Sequence, residues 1–173
     1  MHINPYGEYA VNLGIDLLNA PPTTATELGE RCVDAGLVPD WTATDADLAD
    51  TLEFLGQWAR VVDADTETDR AAALNVLLAQ AAAYPRLTDH AEDGWHMHYR
   101  DPNIALGGVI RALVSVGTAL HLTGRGMSRL SRCAAADCSR AFADTSRTGT
   151  QRYCGTVCSN RDAVRRHRAR AAS

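Results

Sequence analysis

The last quarter of the chain holds four cysteines in two close pairs, Cys133-x4-Cys138 and Cys154-x3-Cys158, with fifteen residues between the pairs. This spacing constrains the fold more than any other feature. A close pair of thiols makes a chelating turn, and two pairs joined by a hairpin-length spacer bring four sulfurs around one ion. Zinc takes four thiolates tetrahedrally at about 2.3 Å, and a structural site of this kind leaves no position for a catalytic water. The segment 125–173 also has few apolar side chains for a core of its own, chiefly Leu130, Phe142, Tyr153, Val157 and Val164. A piece so poor in apolar surface folds on its metal. The spacing therefore predicts one structural Zn2+ on Cys133, Cys138, Cys154 and Cys158. Two disulfides or unrelated core thiols are the competing reading. The spacing opposes it, and so does the reducing compartment expected of a chain whose first ten residues have no basic start and no apolar run. The fifth cysteine, Cys32, stands apart in an apolar-periodic segment and is expected to be a buried small hydrophobe.

The order of the pairs predicts a small treble-clef-like module: knuckle, hairpin, helix. The first pair forms the knuckle. Residues 140–143 and 151–153 are the expected hairpin strands around a turn at 146–149. The second pair leads into a helix capped by Ser159 or Asn160, both good N-cap residues. That helix is rich in arginine. Arg161, Arg165 and Arg168 form one stripe, Arg166 and Arg170 a second. Charge divides the chain in the same place: the net charge of -4 is the sum of -12 over residues 1–124 and +8 over residues 125–173, and every basic residue is Arg. Such a cluster repels itself unless an anion neutralises it, and guanidinium groups bind phosphate and guanine edges bidentately. The candidate nucleic-acid contacts are Arg161, Arg165, Arg166, Arg168 and Arg170, with Arg147 and Arg152 behind them. A solvated helix paired with the acidic N-terminal part is the bland alternative.

Residues 1–124 read as a mainly helical domain. Val11, Leu13, Ile15, Leu17 and Leu18 cluster in a first helix over 9–19, stopped by Pro21-Pro22. Thr26 is expected to cap a short second helix ending at Gly36, and Pro39 to break the chain again. Thr44 or Asp45 opens the clearest helix, with Leu48, Leu52, Leu55, Trp58 and Val62 on one stripe. Residues 63–69 read as a polar connector, 70–84 as an Ala- and Leu-rich helix. A short β-hairpin is expected to pair Arg86 and Leu87 with 96–99, across a turn at Asp93-Gly94, with His96 and His98 on one strand face. Residues 103–122 form a long apolar helix ended by Gly124, weakened by Gly107, Gly108 and Gly117 and so dependent on tertiary packing. No stretch approaches the ~18 apolar residues of a membrane span. The division falls at 124/125.

The quoted residues carry a family resemblance. The runs 129–134, Asp137-Cys138, Phe142, 144–147, 152–154 and Cys158-Ser159-Asn160-Arg161 resemble the bacterial CGNR zinc-finger proteins that carry an N-terminal ABATE domain, described as stress-induced transcription regulators. Ser159 stands where the family signature has Gly. Residues 13–19 and 95–99 resemble the opening helix and short strand of the ABATE domain. The resemblance implies a zinc-dependent, DNA-binding transcription regulator, cytoplasmic and nucleoid-associated. Its 1–124 part would be regulatory, open to a small-molecule effector, a protein partner or a second copy. A protein- or RNA-interaction module stabilised by zinc is the alternative. An enzyme is not expected: Asp89, His90, Glu92, Asp93, His96 and His98 cluster near the hairpin but match no catalytic constellation.

Overall fold

The computed structural model describes residues 7–37, 42–89 and 95–171. In chain order these form α1 (Glu8–Asn19), α2 (Ala25–Asp34), α3 (Asp45–Asp63), α4 (Glu67–Ala81), β1 (Arg86–Thr88), β2 (His96–His98), α5 (Leu106–Arg125), β3 (Leu130–Arg132), β4 (Ala141–Ala143) and α6 (Thr156–Ala171). The expected mainly α architecture, with a short hairpin in the body and a finger ending in a basic helix, is what the chain adopts. The expected break at Pro39 and the turn at Asp93-Gly94 lie outside the described residues.

Local hydrogen bonding explains where the helices start and stop. Thr24, not Thr26, caps α2: its hydroxyl accepts the Glu27 N–H at 3.1 Å, while the Glu27 carboxylate reaches back to the Thr23 N–H at 2.8 Å. The helix ends as expected at Gly36, whose φ of 78° closes a Schellman motif: the Leu37 N–H donates to the Cys32 carbonyl and the Gly36 N–H to that of Val33. Thr44 and Asp47 form a capping box at the start of α3. Thr66 caps α4 through the Asp69 N–H, so the helix begins three residues before Arg70. It stops at Ala81, short of Tyr84, because the Ala83 N–H is already committed to the Tyr99 carbonyl beside the hairpin. Asn103 sits at φ 59°, a left-handed conformation that excludes it from α5. The helix therefore starts at Leu106, runs through Gly124 and ends at Gly126, where φ is 123°.

The core forms around α5, against α1, α3 and α4. Phe54, Trp58, Val61 and Ile110 are fully buried, and such side chains contribute about 1.5–3 kcal/mol each. The α3 stripe is centred on Thr51, Phe54, Leu55, Trp58 and Val62, so the expected core residue Leu52 points outward instead. The glycines of α5 serve a close approach. A Cβ on Gly117 would lie 2.3 Å from that of Ala10 in α1, and one on Gly7 2.1 Å from the Gly117 carbonyl oxygen. Helix α5 is long and apolar enough to cross a membrane by composition, contrary to the expectation that no stretch comes near; here it is the packed centre of the body, with 67% of its most apolar window buried.

The first hairpin forms as expected, and its register sets Arg86 opposite His98, Leu87 opposite Met97 and Thr88 opposite His96. The second differs from expectation. Strand β4 pairs with β3, Leu130 opposite Ala143 and Arg132 opposite Ala141, and residues 151–153 form no strand. The reason is Asp144. Its carboxylate accepts the Ser146 N–H at 2.8 Å and the Gln151 N–H at 3.0 Å, folding 144–151 into a tight loop instead of a hairpin turn. The β3–β4 hairpin packs on α1 and α3, and Leu130 and Ala141 are buried in the same core as Trp58.

Candidate metal centre

Strand β3 delivers Cys133 directly after Arg132, and β4 begins three residues after Cys138, so the first pair lies in the connection between the two paired strands. The Cys133 N–H donates to the Arg140 carbonyl at 2.9 Å and the Cys138 N–H to that of Ala135 at 3.0 Å, which makes the knuckle a tight turn. Cys154 precedes α6 and Cys158 occupies its first turn. The Ala134 N–H joins the two halves by donating to the Arg152 carbonyl at 2.8 Å.

The four sulfurs lie within 4.8 Å of one another. Cys138 Sγ is 3.8 Å from Cys154 Sγ, which is 3.7 Å from Cys158 Sγ. A tetrahedron of thiolates at about 2.3 Å from zinc has edges of about 3.8 Å. The donor set thus fits one structural Zn2+, as the spacing predicts. The cysteines are free thiols, so the disulfide reading falls. As protonated groups they would share protons unevenly. Burial raises the Cys133 thiol, but the Ala135 and Cys154 N–H groups and neighbouring thiols outweigh it and bring it down to about 7. Burial and proton sharing push Cys154 up to about 12. A dication replaces that sharing with four metal–sulfur bonds. Burial, opposed by the Arg31 charge, pushes Cys32 up to about 11, and with no exposed surface it is the inert core thiol expected of it.

Two carboxylates that the sequence reading passed over organise the surroundings. Asp162, one turn beyond Cys158, accepts the Tyr153 hydroxyl at 2.7 Å, Arg165 at 2.6 Å and Arg166 at 3.1 Å. The Tyr153 hydrogen bond, aided by Arg165 and Arg166, holds its carboxyl below the usual range. Asp137 pairs with Arg161 at 3.0 Å, and Arg161 also donates to Cys158 Sγ at 3.5 Å, bridging knuckle and helix. Asp162 was findable: it is the lone acid in the arginine helix, and it falls on the cysteine face.

The other candidate residues fall as follows. Helix α6 begins at Thr156, so Ser159 and Asn160 lie inside it rather than at its cap; the Ser159 N–H already donates to the Gly155 carbonyl. Val157 and Val164, expected among the finger's few core side chains, are instead 75% and 50% exposed. The small cluster around the site is Cys133, Ala135 and Cys158 with Tyr153, Cys138 and Cys154. Arg168 and Arg170 are exposed and have no ion-pair partner among the described residues, and Arg147 and Arg152 are exposed on the loop before α6. Among the described residues, the ion pairs of α6 run to Asp137 and Asp162 within the finger, not to the acidic body. His90, Glu92 and Asp93 lie outside the described residues. His96 and His98 face each other with their Nε2 atoms 3.1 Å apart.

The comparisons agree with this geometry. The family model described as "CGNR zinc finger" matches residues 129–171, and the ABATE model, described as "Putative stress-induced transcription regulator", matches residues 12–149. No curated protein matches the chain.

Proposed function

Because the chain belongs to the ABATE family and carries a CGNR zinc finger at its end, we propose that it is a zinc-dependent transcription regulator that binds duplex DNA through α6. The observation that carries this reading is the placement of the arginines. The zinc site fixes the start and direction of α6, and Arg161, Arg165, Arg166, Arg168 and Arg170 all lie exposed along it. Arg147 and Arg152 extend the basic surface onto the preceding loop. Residues 125–173 are the DNA-facing part. The acidic 1–124 part is regulatory. Action on DNA places the protein in the cytoplasm, at the nucleoid. The metal's role is structural, since all four positions of a tetrahedral site are taken by cysteine.

Binding through guanidinium–phosphate contacts releases counterions, so affinity falls steeply and linearly on a log–log plot as salt rises. Titrating the zinc-loaded protein with a mixed-sequence duplex at several salt concentrations tests the reading. Absent or salt-insensitive binding with zinc in place would overturn it.

A further inference from the structure

Helix α6 is not uniformly basic around its circumference. At about 3.6 residues per turn, Cys158 and Asp162 mark its buried side. The opposite, outermost stripe is Val157, Asn160, Val164 and His167, at spacings of three, four and three. None of these is basic in the manner of arginine, and all but one are uncharged at any pH. Val157 and Val164 are 75% and 50% exposed, and Asn160 makes no side-chain hydrogen bond among the described residues. The arginines flank this stripe: Arg161 and Arg168, with Arg165 behind them, on one side, and Arg166 and Arg170 on the other.

The geometry points to a reading head for the major groove: we propose that Val157, Asn160, Val164 and His167 face base edges while the two arginine flanks grip the opposing phosphate ridges. This rests on the DNA-binding reading above and assigns roles within it. A helix with its side chains is about 10–12 Å across and enters a major groove about 12 Å wide. A groove is bordered by two phosphate backbones, which is the charge pattern that a neutral stripe between two cationic flanks complements. The flanks supply affinity without sequence information, whereas the stripe supplies the sequence. The chemistry of the stripe sets the preference. A carboxamide such as Asn160 pairs bidentately with the N6 and N7 of adenine, and valine methyls pack against the C5 methyl of thymine. The preferred site therefore contains A·T pairs opposite the N-terminal half of α6. Two exposed valines on a helix otherwise this polar have an apolar target in those methyl groups.

The test uses the full-length, zinc-loaded protein and a library of duplexes with a randomised central stretch. The wild type is expected to select an A·T-containing consensus. Asn160→Ala should lower the preference for consensus over shuffled duplex about tenfold or more, with affinity for the shuffled duplex and its salt dependence unchanged. Replacing consensus thymines by uracil, which lacks the methyl, should weaken the wild type but not the Val157→Ser, Val164→Ser double variant. Circular dichroism and zinc content confirm that each variant folds. Salt-dependent binding with no consensus, or a consensus that Asn160→Ala and the valine variant read as well as the wild type, overturns the reading-head assignment and leaves DNA binding intact. Failure of the wild type to bind any duplex overturns both.

Discussion

Arg161 has two tasks, and a substitution separates them from those of Arg168. Its guanidinium donates to Cys158 Sγ and pairs with Asp137 beside Cys138, so it braces the thiolates as well as facing solvent. Outer-shell donors of this kind change metal affinity by about 10–100-fold. Arg161→Ala is therefore expected to weaken both zinc retention in chelator competition and duplex binding. Arg168→Ala should leave zinc untouched and reduce the salt slope of duplex binding by about one. Equal zinc retention in the two variants would contradict the bracing role. His121 illustrates a different residue-scale effect. It is fully buried on α5, and because its Nε2 faces the Arg129 carbonyl at 3.2 Å, that nitrogen carries the proton. Its Nδ1 has no hydrogen-bond partner among the described residues. Burial holds its pKa below the ordinary value, opposed by the Arg129 hydrogen bond and by Glu8, and reinforced by Arg125 and Arg129. A depressed folded-state pKa stabilises above the unfolded pKa of about 6.5 and loses that contribution as pH falls. Urea titrations across pH should show the advantage of wild type over His121→Gln largest above about pH 6.5 and shrinking below it. A constant difference would show that His121 is not buried neutral.

Between elements, side chains at helix ends hold the β3–β4 hairpin to the body. Asn19, the last residue of α1, donates to the Ala141 carbonyl at 2.9 Å and accepts the Ala141 N–H at 2.7 Å, completing the open edge of β4 as a neighbouring strand would. Arg132 of β3 pairs with Asp63 at the end of α3 at 2.7 Å. Arg70 of α4 donates to the Val61 and Ala64 carbonyls that α3 leaves open and to Met127 beyond α5. Asn19→Ala leaves both Ala141 groups without their partner, at a cost of about 1–3 kcal/mol, and should raise hydrogen exchange in β4 before it does so in α5. Uniformly faster exchange would mean that β4 is held by something else. The same elements show what sequence could and could not reveal. Helix existence followed from apolar period and caps, and the zinc ligands from spacing alone, because both are local signals. The partner of β4 was misassigned because nothing local distinguishes 130–132 from 151–153. That choice is made by the Asp144 carboxylate, which consumes the Gln151 N–H, and by Asn19, 122 residues away in sequence from the strand edge it completes. The roles within α6 were half legible: the arginine stripes are in the sequence, but which face is buried became definite only with Asp162 seated against Tyr153.

Across the whole molecule, the charge boundary at 124/125 and the packing boundary do not coincide. The basic part begins before β3, yet Leu130 and Ala141 are buried in the core of the acidic body, and the ABATE match continues to residue 149. The proposed division into a regulatory 1–124 part and a DNA-facing remainder therefore concerns roles, while the β3–β4 hairpin is rooted in one core and carries two of the zinc ligands beside it. Asn19 and Asp63 join the helical body to the hairpin that carries the knuckle. This arrangement also predicts how the protein comes apart when its metal is removed. The body keeps Phe54, Trp58, Ile110 and the close α1–α5 contact, none of which depends on zinc. Leu130, Ala141 and the Asn19 bonds keep β3 and β4 in place. Helix α6 has little beyond the thiolates, the Arg161–Asp137 pair, Tyr153 and Asp162 to hold it, and its self-repelling arginines oppose an isolated helix. Chelation should therefore abolish hydrogen-exchange protection over 153–171 and with it duplex binding, leave α1, α3 and α5 protected, and leave β4 intermediate. Re-addition of zinc should restore α6 and return β4 to full protection. Loss of protection throughout the body on chelation would show that the metal folds the whole chain, and a protected α6 without zinc would show that it folds none of it.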